Sequence, residues 1–140
     1  MHLDLETLVT LRQVEQLKYD YCRNYDSGDI DALVRLFTRD AICEMGFFGT
    51  WHGLDQIRTG YSDLMTSTGI PGSRRHLPSN PQIEVDGDWA RGRWYLVDYR
   101  TEPGVTQPVR IIASYDDDYA RVDGRWLIRR TALEVHWVEP

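Results

Sequence analysis

The chain of 140 residues has only two cysteines, Cys22 and Cys43, far apart in sequence, so it carries neither a disulfide scaffold nor the paired spacing of a zinc site. Both read as reduced, buried thiols. Basic charge is also scarce: 16 Lys plus Arg stand against 22 Asp plus Glu, a formal net charge of −6. That balance argues against nucleic acid and against an anionic membrane surface as partners. No uninterrupted apolar run approaches the roughly 20 residues that span a bilayer. The N-terminal stretch carries acids where a secretory signal needs basic and then apolar residues, so a cytoplasmic location is the expectation. Also missing are a Gly-rich phosphate loop, G-x-S-x-G, H-E-x-x-H and C-x-x-C, which removes the nucleotide, serine-hydrolase and zinc readings. With no repeat, low-complexity segment or Pro/Gly-rich linker, residues 1–140 read as a single domain.

What is present is enough for one core: 41% of the residues are hydrophobic and 11% aromatic. Leu5, Leu8, Leu11, Val14, Leu17 and Tyr21 recur at helical spacing, and the stripe continues through Cys22 and Tyr25. Asp4 with Thr7 supplies start chemistry. Ser27-Gly28-Asp29 stops this helix and caps a second over Ile30 to Phe37. A strand is expected from Ala41 to Phe48, a turn at Gly49, a third helix from Leu54 to Met65 and a loop over Thr66 to Ser73. The period then changes to two. Strands are expected at Gln82 to Val85, Trp89 to Tyr99, Val109 to Val122 and Arg125 to Trp137, parted by turn signals at Asp86-Gly87-Asp88, Glu102-Pro103-Gly104 and Asp123-Gly124. Helices first and a meander of long strands afterwards make an α+β domain, with helices packed on one face of a curved, mainly antiparallel sheet.

Strand parity marks candidate site residues. Asp98 shares a face with Trp94 and Leu96, while His136 shares one with Trp126, Ile128, Arg130, Ala132 and Glu134. Asp26 ends the apolar helix stripe beside Tyr25, and His76 opens the sheet region after the loop. The run Asp116-Asp117-Asp118 splits across two faces and reads as a solvated hairpin, not a metal site. His52 reads as a strand-end residue packing on Trp51.

The helix ending in Tyr25-Asp26, the segments FTRDAICEM and WHGLDQIRTGY, the lone His76, and the strands ARGRWYLVDY and YARVDGRWLIRR together resemble the nuclear-transport-factor-2-like superfamily in its SnoaL-like branch, over essentially the whole chain. The resemblance implies a conical α+β barrel, its helices and strongly bent sheet enclosing a deep apolar pocket. Its lyases, of the scytalone dehydratase, bile acid 7α-dehydratase and hexachlorocyclohexane dehydrochlorinase type, have an Asp–His dyad that Asp26 and His76 match. Tyr21, Tyr25 and Asp98 take positions of pocket residues. The pocket arginine of the bile acid enzyme falls nearest Val135, and Arg130 substitutes for it only if it points inward.

Imidazole titrates near neutrality, so His76 is suited to take a proton from carbon and return it to a leaving hydroxyl, with Asp26 fixing its tautomer. Tyr21 or Tyr25 would donate to a departing or enolate oxygen. Trp94, Leu96, Met45, Phe47 and His136 are the candidate pocket lining, and neither metal nor organic cofactor is required. The expected activity is dehydratase-type elimination from a small, mostly apolar polyketide-, steroid- or terpenoid-like substrate. An isomerase or cyclase working through Asp26 or Asp98 is the alternative enzyme, and a ligand-binding protein without turnover the alternative outside enzymology. The aromatic outer face of the sheet suggests a homo-oligomer, a trimer or a dimer.

Overall fold

A computed structural model describes residues 2–67, 73–101, 103–104 and 106–140. Helix α1 runs over Leu5–Ser27 and α2 over Ile30–Val34, followed by strand β1 at Phe37–Glu44. A single 3₁₀ turn, Gly46–Phe48, leads to β2 at Thr50–His52 and α3 at Gly53–Ser67. The remaining strands are β3 (Arg74–Asp86), β4 (Trp89–Arg100), β5 (Val109–Val122) and β6 (Arg125–Val138). Of the loop expected over Thr66 to Ser73, residues 68–72 lie outside the described residues, as does Glu102 of the turn signal Glu102-Pro103-Gly104.

The helix ends follow their cap chemistry. Asp4 accepts from the Thr7 amide at 2.8 Å, Gly28 closes α1 in the left-handed region at φ 75°, and Asp29 accepts from the Ala32 amide at 3.0 Å. Helix α2 is shorter than its sequence suggests, because the Leu36 carbonyl is taken by the Ile128 amide at 2.8 Å and Phe37 pairs with Ile128 in the sheet. Tertiary hydrogen bonding overrides local propensity there. The apolar stripe of α1 becomes core only from Val14 onward, since Leu5 and Leu8 are exposed.

The six strands form one sheet in the order β2-β1-β6-β5-β4-β3, antiparallel except for β1 beside β6. The sheet is open: β2 and β3 are its edges, and α1 packs along β3 and β6 while α3 packs along β1 and β2. The architecture is therefore the expected α+β arrangement, three helices on one face of a curved, mainly antiparallel sheet. β3 is much longer than the expected Gln82–Val85 segment. It contains Pro78 and Pro81, which an edge strand tolerates because the N–H that proline lacks need not join a ladder. A bulge at Asn80-Pro81, with Asn80 at φ 51°, absorbs the rest of the mismatch.

Two further bulges decide which side chains of β6 face the helices. Asp118 pairs with Arg130 while Tyr119 pairs with Ile128, leaving Arg129 as an extra residue; Ile112 pairs with Trp137 and Ala113 with Val135, leaving His136 extra. Each extra residue inverts the parity beyond it. Trp126 and Ile128 point inward, but beyond Arg129 the inward set is Thr131, Leu133 and Val135. Arg130 turns outward, where it pairs with Glu44 at 2.8 Å and Asp118 at 3.9 Å.

Helix α3 is seated by a close approach at Gly60. A Cβ there would lie 2.2 Å from the Trp51 ring, so the helix can sit on β2 only without a side chain. Gly60→Ala is expected to lower stability by about 1–3 kcal/mol through overpacking, although alanine gains about 1 kcal/mol at an open helix position. Urea unfolding reads the sign, and a raised midpoint would mean that the indole is not seated there.

Candidate active site

Asp26 sits in the last turn of α1, where the helix dipole disfavours a carboxylate, so its placement needs compensating partners. His76 provides them. Asp26 Oδ1 lies 2.5 Å from His76 Nδ1, and Asp26 Oδ2 accepts from the His76 backbone N–H at 2.9 Å. Both carboxylate oxygens are thus fixed on one residue, and as an acceptor Asp26 holds the proton of the imidazole on Nδ1. The other nitrogen, Nε2, turns toward Asp98, whose Oδ2 is 3.8 Å away. The side chains of His76, Asp98 and Asp26 are 5%, 7% and 13% exposed, so the three groups sit largely out of water.

Strand register explains this meeting. Asp98 on β4 is the Cα partner of His76 on β3, and α1 lies along β3 so that its last turn reaches the same row. Two residue pairs further along the strands, in the next row on the same face, Arg74 faces Arg100. Arg74 Nη1 donates to the Tyr25 hydroxyl at 2.7 Å, and the Tyr25 ring lies 4.5 Å from the His76 ring. Burial raises the pKa of Tyr25 above its usual value, with the nearby Arg74 charge opposing the rise. With its oxygen accepting from Arg74, the neutral phenol has its proton free to donate.

These groups line a cavity of about 40 Å³ between sheet and helices, room for a few waters. Its polar wall holds Tyr25, Arg74, His76, Asp98 and Arg100. Met45, Leu96 and Leu133 contribute to its apolar wall, together with Tyr115 and the half-exposed Phe48 and Val135.

The structure brings together His76, Asp26, Tyr25, Asp98, Leu96 and Met45, and separates four residues expected with them. Tyr21 lies one helical turn from Tyr25, about 6 Å deeper. It bonds Tyr61 Oη at 2.8 Å and backs Tyr115, which faces the cavity in its place. Trp94 is four strand residues from Asp98, about 13 Å, and is buried elsewhere with Nε1 donating to Tyr119 Oη at 3.1 Å. Phe47 is 99% exposed, because the tight turn Gly46–Phe48 sends it outward and Phe48 inward. His136, displaced by its bulge, is exposed and bonds Ser114 at 2.8 Å. Arg74, Arg100, Tyr115 and Leu133 lie outside the expected lining, while Val135 lines the cavity where the resemblance implies an arginine. Arg74 and Arg100 carried a usable signal, sharing strand parity with His76 and Asp98.

Burial pushes the thiols of Cys22 and Cys43 up to about 12, and both are free, so they are inert packing groups. Among the described residues no group of three or more His, Cys, Asp or Glu is placed to hold a metal ion, and no helix is long and apolar enough to cross a membrane.

Solved structures share this fold at low identity. Hexachlorocyclohexane dehydrochlorinase LinA-type3 from Novosphingobium barchaimii superposes with a TM-score of 0.85 at 20% identity, covering 99% of this chain and 94% of that one. A scytalone-dehydratase-like protein from Novosphingobium aromaticivorans gives 0.85 at 21% identity over 95% of this chain and 88% of its own. A protein of unknown function with a cystatin-like fold from Nostoc punctiforme gives 0.82 at 20% identity over 97% and 96%. No curated protein matches the chain in sequence. The SnoaL-like domain profile matches residues 6–132, and the chain belongs to that family.

Proposed function

We propose that the protein is a cofactor-independent lyase that eliminates water, dehydratase-fashion, from a small, mostly apolar molecule of the polyketide, steroid or terpenoid kind. The observation that carries this reading is the 2.5 Å contact between His76 Nδ1 and Asp26, which leaves Nε2 as a proton acceptor in a small, largely buried cavity. In the forward step Nε2 takes a proton from the carbon next to an activating carbonyl, and the electron pair of the C–H bond forms the new C=C. The C–O bond to the leaving hydroxyl breaks, and the imidazolium returns its proton to that oxygen to release water. Asp26 stabilises the imidazolium between the two transfers, an attraction that strengthens away from bulk solvent. The Tyr25 hydroxyl, polarised by Arg74, donates to the oxygen that gains charge. Phe48 and Val135, each 43% exposed, mark the side on which substrate enters by displacing side chains.

A second reading rests on Asp98, whose Oδ1 is buried without a partner. A carboxylate so placed can carry a proton between two carbons of one substrate, the chemistry of an isomerase or cyclase. Self-association is part of the proposal, supported by the exposed aromatics Trp89, Tyr95 and Trp137 on the outer face of the sheet.

The test is a panel of hydroxylated ketones followed for a new conjugated absorbance. Dehydration is expected, with one alkene formed per substrate consumed. A rearranged product of unchanged mass would shift the assignment to Asp98, and saturable binding without conversion would remove the enzyme reading.

A further inference from the structure

Arg74 is 7% exposed, and among the described residues no carboxylate oxygen lies within 4.0 Å of its guanidinium. Its Nη1 donates to a neutral phenol, Tyr25, and its Nε is buried with no partner. A guanidinium keeps its charge at any working pH, and a buried charge without a counter-ion is among the most unfavourable arrangements a fold can hold. The same group faces the cavity, with Arg100 directly opposite on β4. The Arg74 guanidinium is therefore balanced by negative charge brought to the cavity. Asp98 does not supply that charge by direct contact; it lies in the neighbouring row, facing His76.

We propose that Arg74 is the carboxylate-binding residue of this cavity and that the natural substrate is an apolar carboxylic acid. The two rows then divide the substrate. Its carboxylate accepts from Arg74 at the Arg74/Arg100 row, and its reacting carbon and hydroxyl lie at the His76/Asp98 row. There the buried Asp98 Oδ1 accepts from the hydroxyl. This orientation keeps the anion away from the Asp98 carboxylate. The proposal rests on the assignment of this cavity as the active site, but the binding it states does not require turnover.

Butyrate and butyramide, alike in shape and different in charge, are the probes, with dissociation constants measured by NMR titration of the intact protein. Wild-type protein is expected to bind butyrate at least tenfold more tightly than butyramide. Arg74→Met should remove that preference, leaving butyramide unchanged, while Arg74→Lys should keep part of it. His76→Asn should keep it in full, which separates recognition from chemistry: absence of turnover by the wild-type protein with the preference intact would count against the elimination reading alone. Equal affinity of the wild-type protein for the two probes would overturn the proposal, and that comparison needs no variant to fold. Preference surviving in Arg74→Met would overturn it as well.

Discussion

His76→Ala is expected to lower kcat by about 100- to 10,000-fold, the range that a positioned acid–base group contributes, while substrate affinity changes less than tenfold. The asymmetry follows from the role. A group that accepts a proton only as the C–H bond breaks stabilises the transition state more than the bound substrate, so its removal falls on kcat rather than KM. Asp26→Asn sharpens the test. Asparagine fills the same volume but can turn its NH2 toward Nδ1, and a donor there favours the tautomer with its proton on Nε2, which cannot act as a base. A drop of at least 100-fold is therefore expected although the imidazole is still present. His76 is buried and its backbone N–H also bonds Asp26, so circular dichroism and the unfolding midpoint of each variant accompany the kinetics. A well-folded His76→Ala enzyme retaining more than a tenth of wild-type kcat would sink the dyad.

Much of the fold was legible because local chemistry and tertiary outcome agree where the chain is most regular. Asp4, Gly28 and Asp29 end and start helices as their side chains dictate, and β4 keeps strict alternation, which placed Leu96 and Asp98 on the inner face. Alternation misled where it broke. Nothing local distinguishes Arg129 or His136 as extra residues, because a bulge is a property of two strands in register, not of one. The same limit applies to β3, whose prolines signal a break unless the strand is known to be an edge. The pairing of Asp26 with His76 is legible through the resemblance and not in composition. Arg74 and Arg100 beside it were open to parity reasoning, but a stretch containing Arg74 and Arg75 reads as a solvated face until β4 is set against it.

The central member of Asp116-Asp117-Asp118 departs most from its reading. Alternation was right and solvation was wrong, for Asp117 is fully buried and bonded 2.8 Å from Lys18, the only lysine in the chain. Lys18 occupies the inward stripe of α1, one turn from Val14 and Cys22, where an ammonium is tolerated only if something inside receives it. Asp117 accepts from Lys18 and Tyr119 through Oδ2, both at 2.8 Å, and from Thr131 through Oδ1 at 2.5 Å. The Lys18 Nζ also lies 3.3 Å from the centroid of the Tyr115 ring, a wall of the cavity.

Removing one partner from such a pair leaves a bare charge in the core, so Lys18→Met and Asp117→Asn are each expected to lose about 3–5 kcal/mol. For a domain with a total stability of about 5–15 kcal/mol, that loss is a large part of the whole. Carrying both changes removes both charges. The asparagine carbonyl still accepts from Thr131 or Tyr119, so the double variant should be more stable than the sum of the single losses by about 2–3 kcal/mol, near the upper end of coupling between touching residues. Urea unfolding of the four proteins measures the cycle. Additive losses would show that the two charges do not compensate each other. A Lys18→Met protein within about 1 kcal/mol of wild type would show that no uncompensated charge is left in the core when the ammonium is removed.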